Sequence, residues 1–456
     1  MTPPTTPPMT PPMTPPMTPP MTPPMTRAAD GRPAAPVRML HLGLGGFFRA
    51  HQAWYTEHAP DAARWGIAAF TGRSTDLVAR LAAQDGVYTL VTRGGDGDAF
   101  EVISSVTAAH PGSDHGAWLA YWRRPELAVV TLTVTEAAYS TGDDVRADLL
   151  ALRADPEAPV GTVAGRLTAG LAARRRAGGG PVAIVPCDNL PGNGEVTARL
   201  VEELADAAGL RTSASYVTTM VDRITPYPDG EDAGVVAAAT GRADAAPVVA
   251  EPFAEWVLCG DFPAGRPRWE DAGARFVPDA TPYEERKLWL LNGGHSLLAY
   301  AGAPRGHATV AEAVADPACR AWLEQWWAEA ARHLDLPGPE LAAYRAALLD
   351  RFANPRIRHT LAKIAEDGSR KLPVRVLPVL RAERRRGALP AGAVRMIAAW
   401  LRHLRGGGAP VRDAAAPSVA GPLREAARTV LACLDPALAH DAELIDAVTA
   451  RAAELE

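Results

Sequence analysis

A short apolar segment that runs into a cluster of glycines constrains the fold of this chain more than any other feature. Residues 37–44 have the length and composition of a buried strand, and they run into the sequence GLGG at 43–46. A helical stretch at 49–57 and a second apolar segment at 65–70 follow. Strand, glycine turn, helix and strand form the opening of a dinucleotide-binding unit, so we expect a Rossmann-like α/β domain here.

Gly43, Gly45 and Gly46 are the predicted cofactor-binding residues of that turn. Glycine allows the backbone to turn tightly and to approach a pyrophosphate, and the following helix offers free N–H donors. The usual third small residue is missing, because Phe48 stands in its place, so a plain glycine-rich turn is the alternative. Arg49 is a further cofactor-binding candidate, which could pair with a phosphate or simply cap the surface.

The rest of the chain divides into two parts. Apolar segments at 88–92, 128–134 and 182–186 predict further strands of the same parallel sheet. From about residue 282 strand signals nearly vanish and amphipathic stretches dominate. The pattern predicts a Rossmann-like NAD(P)-binding domain at 37–281 and a mostly α-helical substrate and catalytic domain at 282–456. The helices predicted in the second part lie at 283–300, 308–333, 340–349, 355–366, 374–384, 393–405 and 421–434.

The chain begins with a proline repeat. Residues 1–26 repeat the unit Met-Thr-Pro-Pro. Proline removes backbone donors and favours extended polyproline II structure, so residues 1–36 are predicted to form a disordered tail and linker that buries nothing. The repeat could be a ligand for an aromatic-lined groove, but a passive extension is the favoured interpretation.

Composition excludes several classes of protein. Charged residues make up 22% and the net charge is −5, so no global field favours nucleic acid as a partner. No apolar segment is long enough to cross a bilayer, and no secretory signal pattern is recognised. The four cysteines show no CxxC spacing, which favours reduced thiols in a cytoplasmic protein and offers no zinc ligand set.

Lysine is scarce, since only Lys287, Lys363 and Lys371 occur among 47 basic residues. Arginine can replace a surface lysine, but it cannot replace a proton-transfer base because it stays protonated at any working pH. The retained lysines are therefore candidates for chemistry that requires lysine. Two of them, Lys363 and Lys371, share the segment 363–375. These two lysines could bind a polar ligand, which is the more specific interpretation, or they could form salt bridges at the surface.

Lys287 stands in a helical segment that carries two more polar side chains on one arc. Lys287 and His295 are eight residues apart, about 80° around an α-helix, and Asn292 and His295 are three apart and nearly stacked. A desolvated lysine has a lowered pKa and can act as a base near neutral pH. The charged residues at 284–286 are instead predicted to form a solvated face of this helix.

A second polar cluster, at 186–194, follows the predicted strand at 182–186. Ligands of open α/β sheets bind at the carboxyl ends of the strands, where an asparagine amide could donate to a carbonyl or alkoxide oxygen. Turn chemistry is favoured for Asn193, and both interpretations stay open for Asn189.

These motifs together resemble the polyol-specific long-chain dehydrogenases. That family includes mannitol 2-dehydrogenase, fructuronate (mannonate) reductase, tagaturonate reductase and mannitol-1-phosphate 5-dehydrogenase. The resemblance covers most of residues 38–380 and implies an N-terminal Rossmann-type domain, a helical C-terminal domain, a cleft between them and no metal. Its marks, in family order, are GLGGFFRAH, QDGVYTLVTR, VTLTVTEAAY, CDNLPGNG, MVDRITP, EPFAEWV, KLWLLNGGHS and DGSRKLP.

The resemblance also implies roles for individual residues. Lys287 corresponds to the catalytic base and Asp222 to the acid that orients it. Asn189 and Asn292 correspond to the pair of amides that hold the reacting oxygen, and His295 to a substrate-binding imidazole.

Two further lysines bear on the substrate. Lys371 corresponds to a substrate-contacting lysine, whereas Lys363 stands where the mannitol enzymes are expected to carry arginine. The resemblance thus implies an NAD(P)-dependent oxidoreductase that interconverts mannitol and fructose, or mannonate and fructuronate, and we expect a monomer or small homo-oligomer. Mannitol-1-phosphate 5-dehydrogenase activity is one alternative, and a catalytically silent sugar-sensing or interaction protein is another.

The cofactor preference is less constrained. NAD-specific sites normally place an acid about 20 residues beyond the glycines, but no Asp or Glu occurs between Asp61 and Asp76. Arg73, just after the second predicted strand, could accept a 2′-phosphate and favours NADP, whereas the resemblance favours NAD. We expect both cofactors to be used, with NAD modestly preferred and Arg73 responsible for the NADP activity.

Overall fold

The computed structural model describes residues 22–72, 75–139, 142–226 and 230–455. The first part of the chain combines strands and helices. Its strands are β1 (Val37–Leu42), β2 (Gly66–Phe70), β3 (Tyr88–Arg93), β4 (Asp98–Ile103), β5 (Val106–His110), β6 (Val129–Leu132), β7 (Val182–Pro186), β8 (Ala214–Tyr216), β9 (Thr218–Asp222), β10 (Val248–Ala250), β11 (Glu255–Cys259) and β12 (Arg275–Phe276). Its α-helices are α1 (Arg27–Asp30), α2 (Gly46–Ala50), α3 (Gln52–His58), α4 (Asp76–Ala82), α5 (His115–Trp122), α6 (Asp143–Ala154), α7 (Val163–Arg176), α8 (Asn193–Ala207) and α9 (Asp232–Thr240).

The second part is helical throughout its regular structure. It begins with a helix that changes type along its length, from α10 (Thr281–Arg286) through a π-helix (Lys287–Asn292) to α11 (Gly293–Gly302). The α-helices are α10 (Thr281–Arg286), α11 (Gly293–Gly302), α12 (Val310–Ala315), α13 (Pro317–Ala331), α14 (Gly338–Ala353), α15 (Leu361–Ile364), α16 (Gly368–Arg375), α17 (Leu377–Arg385), α18 (Ala391–Leu404), α19 (Leu423–Leu434) and α20 (Ala442–Glu454).

The largest sheet has six parallel strands in the order β5-β2-β1-β6-β7-β8, which confirms the predicted Rossmann-like fold. β2 and β7 are buried at every position, as expected for strands covered by helices on both faces. The strand order reverses between β1 and β6, and ligands of such sheets bind beyond the carboxyl ends of the strands at this switch point. The ends of β1 and β6 therefore mark the expected cofactor site.

β3 departs from the prediction, because it belongs to a second sheet and not to the six-stranded one. It pairs antiparallel with β4 and parallel with β10. The turn between β3 and β4 is closed by a hydrogen bond from Gly94 N to Gly97 O at 2.9 Å. Such a short turn produces an antiparallel hairpin, whereas parallel pairing needs a long crossover, so the glycine-rich turn determines where this strand pairs.

Four predicted helices are divided or shorter than their patterns indicated. The stretches at 308–333 and 374–384 divide at Asp316 and at Val376. The stretch at 49–57 divides at His51 (φ −125°, ψ −83°) into α2 and α3. The stretch at 355–366 is α-helical only in α15, because main-chain hydrogen bonds of 3.0 and 2.9 Å join residues 308–310 to residues 359–361. Backbone groups that pair with a distant segment are not available for a helix.

The segment before β1 packs against the domain, so the prediction of an unpacked tail and linker is wrong for residues 22–30. Met25 is fully buried, and its N–H donates to Ala243 O at 3.0 Å. The Arg27 guanidinium donates to four carbonyl oxygens. They belong to Asp85 at 2.7 Å, Ser104 at 2.6 Å, Val106 at 2.5 Å and Pro33 at 3.5 Å. Residues 1–21, which hold most of the proline repeat, lie outside the described residues.

Deletion of residues 1–30 is accordingly expected to lower the free energy of unfolding by about 2–4 kcal/mol. The loss combines the burial of Met25 with the carbonyl contacts of Arg27. Urea denaturation of the full chain and of a variant that lacks residues 1–21 provides the comparison. The shorter deletion should leave the unfolding midpoint unchanged, and equal midpoints for all three proteins would contradict the packing role of Met25 and Arg27.

The second part is built around α11, which is buried at every position. This helix packs against α13 and α18, so the residues that precede it are held in a rigid core. The π-helix lies directly before α11 and thereby connects the helical core to the site described next. None of the described helices is both long and apolar enough to span a membrane.

Candidate active site

A cavity of about 420 Å³ lies between the carboxyl end of the parallel sheet and the helices of the second part. Four of the predicted site residues line it, namely Asn189, Lys287, Asn292 and Lys371. The full lining consists of Asp188, Asn189, Leu190, Pro191, Thr219, Met220, Val221, Glu284, Lys287, Leu288, Asn292, Asp367, Arg370, Lys371, Val374 and Arg375.

The amine of Lys287 is fixed by two acceptors from the first part of the chain. Its Nζ donates to Asn189 Oδ1 at 2.5 Å and to the backbone oxygen of Val221 at 2.5 Å. Burial lowers the pKa of Lys287; Asp222 opposes this shift, and the positive charge of Arg351 adds to it. The neutral amine is therefore populated at lower pH than in an exposed lysine, which is the property that a proton-accepting base requires.

The π-helix brings Lys287 and Asn292 to the same wall of the cavity. In an α-helix, five residues advance by about 500°, which would leave these two side chains roughly 140° apart. The wider i→i+5 turn of a π-helix brings residues five apart close to one another. Two buried indoles hold this turn, since Trp326 donates to Trp289 O and Trp327 to Leu290 O, both at 2.8 Å.

The two asparagines offer complementary amide groups. Asn189 accepts from the lysine through Oδ1, so its Nδ2 hydrogens remain for another partner. Asn292 Oδ1 is buried and has no partner among the described residues. Asn193, by contrast, serves the fold as the turn interpretation predicts: it bridges Asp188 O at 3.1 Å and Thr219 O at 2.9 Å.

Asp222 contacts an arginine and not the lysine. Its carboxylate accepts from Arg351 at 2.9 and 2.8 Å and from the Tyr344 hydroxyl at 3.0 Å. Arg351 also donates to Glu251 at 2.9 and 2.7 Å, so one guanidinium joins two buried acids. Lys287 is bound instead by the carbonyl of Val221, the residue before Asp222. The acid thus acts on the lysine through its charge and through the position of the end of β9.

His295 is buried beside the cavity and does not line it. Its ring stacks on Phe352 with centroids 4.5 Å apart, and Nε2 has no hydrogen-bond partner among the described residues. Burial and the neighbouring charges of His359, Arg351 and Arg375 keep the pKa of His295 well below its usual value. The imidazole is therefore neutral, with one ring nitrogen as donor and the other as acceptor.

The two remaining lysines differ in their surroundings. Lys371 lines the cavity, and its Nζ donates to Ile364 O at 3.3 Å. Lys363 does not line the cavity; its side chain is 70% exposed and pairs with Glu366 at 2.6 Å. The structure therefore places Lys363 away from the predicted substrate-binding position, because an i,i+3 ion pair at the surface holds it.

The residues at 284–286 are not a solvated face, contrary to the sequence interpretation. Arg286 is 2% exposed and pairs with Glu255 and, at 3.3 Å, with Glu340. Glu284 lines the cavity and accepts from Gly192 N at 3.1 Å, and burial raises its pKa to about 7. The roles of Glu284, Arg351 and Glu251 were not apparent from the sequence, although Glu251 lies in one of the quoted motifs.

The glycine turn lies at the switch point of the parallel sheet. Gly43 has φ of 110°, and a Cβ at this position would lie 1.9 Å from Thr133 O, which follows β6. Only glycine therefore allows the strands to approach this closely. Gly45 precedes α2 and Gly46 begins it, so unpaired N–H groups of the first helical turn face the end of β1.

Of the two arginines predicted for the cofactor site, Arg49 lies within the described residues. Arg49 is 4% exposed and donates to Ala246 O at 2.5 Å and Gly45 O at 3.2 Å. Its guanidinium is thus committed to backbone carbonyls in the interior, and the prediction that it binds cofactor phosphate is wrong. Arg73 lies outside the described residues.

Two family models match successive parts of the chain. Residues 37–271 match the mannitol dehydrogenase Rossmann domain, and residues 279–450 match the mannitol dehydrogenase C-terminal domain. The two matches cover both the parallel sheet and the helical core, as well as every described residue of the candidate site.

Curated relatives and solved structures agree with these matches. D-mannonate oxidoreductase of Escherichia coli (strain K12) is 36% identical over 392 residues, which cover 81% of this chain and 80% of the relative. D-arabinitol 4-dehydrogenase of Ralstonia nicotianae is 37% identical over 392 residues, with coverage of 82% and 84%. The structure of Pseudomonas fluorescens mannitol 2-dehydrogenase in a ternary complex with NAD and D-mannitol is 32% identical, has a TM-score of 0.77 and covers 92% of both chains.

Proposed function

This chain belongs to the mannitol dehydrogenase family, and from that premise we propose that it oxidises a secondary alcohol of a polyol or an aldonate to a ketone with NAD. The observation that carries the proposal is the contact of Lys287 with Asn189 in the wall of a cavity that Asn292 also lines. A base and two amides around one space suit an alcohol whose proton leaves as its oxygen gains negative charge.

The residues at the switch point fit a dinucleotide. Gly45 presents no side chain, the N–H groups at the start of α2 are unpaired within the helix, and the turn lies where such sheets bind ligands. Gly43, Gly45 and Gly46 would hold the pyrophosphate. When bound, the nicotinamide supplies the acceptor for the hydride that leaves the alcohol carbon.

The side chains of the cavity accept the hydroxyl proton and stabilise the negative charge that develops on the oxygen. Lys287 accepts the hydroxyl proton at Nζ, and its lowered pKa makes the neutral amine available for this step. Asn189 and Asn292 donate to the oxygen as the alkoxide develops. Asp222 is a positioning residue, because its carboxylate holds Arg351 while the adjacent carbonyl holds the lysine. In the reverse direction the protonated lysine returns the proton to the ketone oxygen.

The experiment that tests this function is cofactor reduction, measured at about pH 9 with a panel of open-chain compounds. The panel contains hexitols, pentitols, mannonate and mannitol 1-phosphate, each with NAD and with NADP. The favoured substrate pairs are mannitol with fructose and mannonate with fructuronate. Absence of turnover with every compound would contradict the proposal.

The rate of alcohol oxidation is expected to rise with pH through an apparent pKa below the usual lysine value of about 10.4. Only the neutral amine accepts the proton, and burial of Lys287 shifts its deprotonation to lower pH. The profile of kcat against pH measures this step. Glu284→Gln, which removes another titrating group of the cavity, should retain the step, and a step at or above the ordinary lysine value would contradict the assignment.

Arg73→Ala is expected to lower kcat/KM for NADP by about tenfold or more and to leave kcat/KM for NAD nearly unchanged. One charge-assisted contact to the 2′-phosphate contributes about 1.5–3 kcal/mol, and NAD has no such phosphate. Steady-state kinetics with both cofactors checks the difference. An equal loss with both would assign Arg73 to the shared part of the cofactor and not to the choice between cofactors.

A further inference from the structure

Asp188 is a buried acid of the cavity wall that has no role in the mechanism described above. It lies two residues after β7 and directly before Asn189, lines the cavity and is 7% exposed. Both of its carboxylate oxygens accept hydrogen bonds from the segment that follows β6. Oδ1 accepts from Val134 N at 2.5 Å, and Oδ2 accepts from the Tyr139 hydroxyl. The acid therefore joins the chain segments that follow two neighbouring strands of the parallel sheet.

The segment that follows β6 is also bound to the glycine turn. Thr133 Oγ1 donates to Gly43 O at 2.8 Å, and His41 Nε2 lies 3.0 Å from the same hydroxyl oxygen. Because the hydroxyl has a single hydrogen, which Gly43 O accepts, its oxygen accepts from His41 Nε2. The turn that would hold the pyrophosphate and the segment after β6 are thus fixed to each other.

On its other side, Asp188 is continuous with the groups that surround the reacting oxygen. Asn189 is its neighbour in the chain and accepts from Lys287 Nζ at 2.5 Å. The Asn193 amide donates to the backbone oxygen of Asp188 at 3.1 Å, so the main chain at this point is held as well. Bonded and hydrogen-bonded contacts therefore run from the glycine turn through Asp188 to the base.

The carboxylate of Asp188 is used for contacts within the protein. Burial raises the pKa of Asp188 to about 7, and the hydrogen bonds from Tyr139 and Val134 oppose this shift. At about pH 9 the group is ionised, and an ionised acceptor forms hydrogen bonds roughly twice as strong as a neutral one. An asparagine in its place would offer one acceptor oxygen to two donors. The charge and both oxygens of Asp188 thus hold the segment after β6 in place.

We propose that Asp188 is a positioning residue for hydride transfer, which holds the nicotinamide and the alcohol carbon at the distance that the transfer requires. This inference rests on the proposed function. The cofactor position of the sheet lies beyond β1 and β6, whereas the alcohol oxygen is expected beside Lys287 and Asn189. Asp188 joins these two regions. A shift of the segment after β6 would therefore misplace the reacting atoms and leave both binding sites present.

The test is Asp188→Asn, which preserves the size of the side chain but removes its charge and one acceptor. The single-turnover rate of cofactor reduction is measured at about pH 9, with saturating NAD and the panel compound that the unaltered protein oxidises fastest. It should fall by about 30–100-fold, the effect of a misplacement of about 1 Å. The Kd for NAD, from quenching of tryptophan fluorescence, should stay within about threefold. Without cofactor, hydrogen exchange should become faster in the peptide that contains Val134.

Tyr139→Phe removes one of the two donors and retains the aromatic ring. It should lower the single-turnover rate by about five- to tenfold, since one hydrogen bond to a charged group is lost. Because Tyr139 acts through Asp188, the double variant should be no slower than Asp188→Asn alone. Losses that multiply in the double variant would overturn the shared role of this pair.

Asp148→Asn is the matched control. Asp148 is a buried acid as well, 6% exposed, and it holds a different loop by accepting from Gly161 N at 2.9 Å and Thr162 N at 2.8 Å. It does not line the cavity, so its replacement should lower the unfolding midpoint and keep the single-turnover rate within about twofold.

Two results with Asp188→Asn would overturn the positioning role. One is a single-turnover rate within about twofold of that of the unaltered protein. The other is a loss of NAD affinity of about tenfold or more, which would make Asp188 part of the cofactor site. Both would leave the proposed function intact. Absence of turnover in the unaltered protein with every compound of the panel would refute the proposed function, and the positioning role with it.

Discussion

Replacement of Lys287 by alanine or by arginine is expected to lower kcat for alcohol oxidation by about 10²–10⁴-fold. Alanine removes the base, and arginine keeps the positive charge but stays protonated at any working pH. Neither change touches the glycine turn, so the affinity for NAD should remain within a few-fold. Stopped-flow kinetics measures the rate of cofactor reduction, and quenching of tryptophan fluorescence measures cofactor binding.

Lys363→Arg is the control for this experiment, since it makes the same exchange at an exposed lysine that pairs with Glu366. It should retain turnover within about twofold. If Lys287→Arg kept near-native turnover as well, another group would have to accept the proton, and the role of the Lys287–Asn189 contact would be limited to positioning.

Arg351→Met is expected to lower the free energy of unfolding by about 3–5 kcal/mol. The guanidinium joins Asp222 and Glu251 in the interior, and its removal leaves two buried carboxylates without their counter-ion. Arg351 lies on α14 whereas both acids belong to the first part of the chain, so the two parts lose a direct connection. Equilibrium denaturation, followed by circular dichroism, gives the change.

The matched control is Arg320→Met, which breaks an exposed i,i+4 pair with Glu324 at 3.0 Å. Solvent-exposed pairs of this kind contribute at most about 0.5 kcal/mol, so its effect should be close to zero. An equally small effect of Arg351→Met would mean that the buried acids become protonated at little cost and that the cluster does not hold the two parts together.

The fold was predicted correctly where the local sequence pattern and the packing of the folded chain require the same residues. The strand and glycine turn at 37–46 led to the Rossmann-like domain because an apolar strand and a close backbone approach both demand those residues. The scarcity of lysine singled out Lys287, which lines the cavity, because arginine cannot replace a lysine that transfers protons. Each inference required only neighbouring residues or the chemistry of one side chain.

The features that the sequence did not reveal depend on residues far apart in the chain. Arg49 has the composition of a phosphate ligand, but a carbonyl nearly 200 residues away takes its guanidinium. Arg27 follows a proline repeat that predicts no packing, yet three of its four carbonyl acceptors lie 58 to 79 residues further on. Glu284 stands among charged residues, as a surface acid does, but its carboxylate accepts a hydrogen bond from Gly192 N, 92 residues earlier in the chain. No local periodicity carries such information.

The π-helix at Lys287–Asn292 has a consequence for how this region can vary among related chains. If this segment kept its length but took α-helical pitch, Lys287 and Asn292 would lie about 140° apart around the helix, and the lysine would leave the wall that it shares with the asparagine. Loss of one residue together with the π-turn would instead leave the two side chains four residues apart, about 40° around an α-helix and on one face. The length of this segment and its helix type therefore have to change together, and a related chain that keeps this chemistry without the π-turn should be one residue shorter between the lysine and the asparagine.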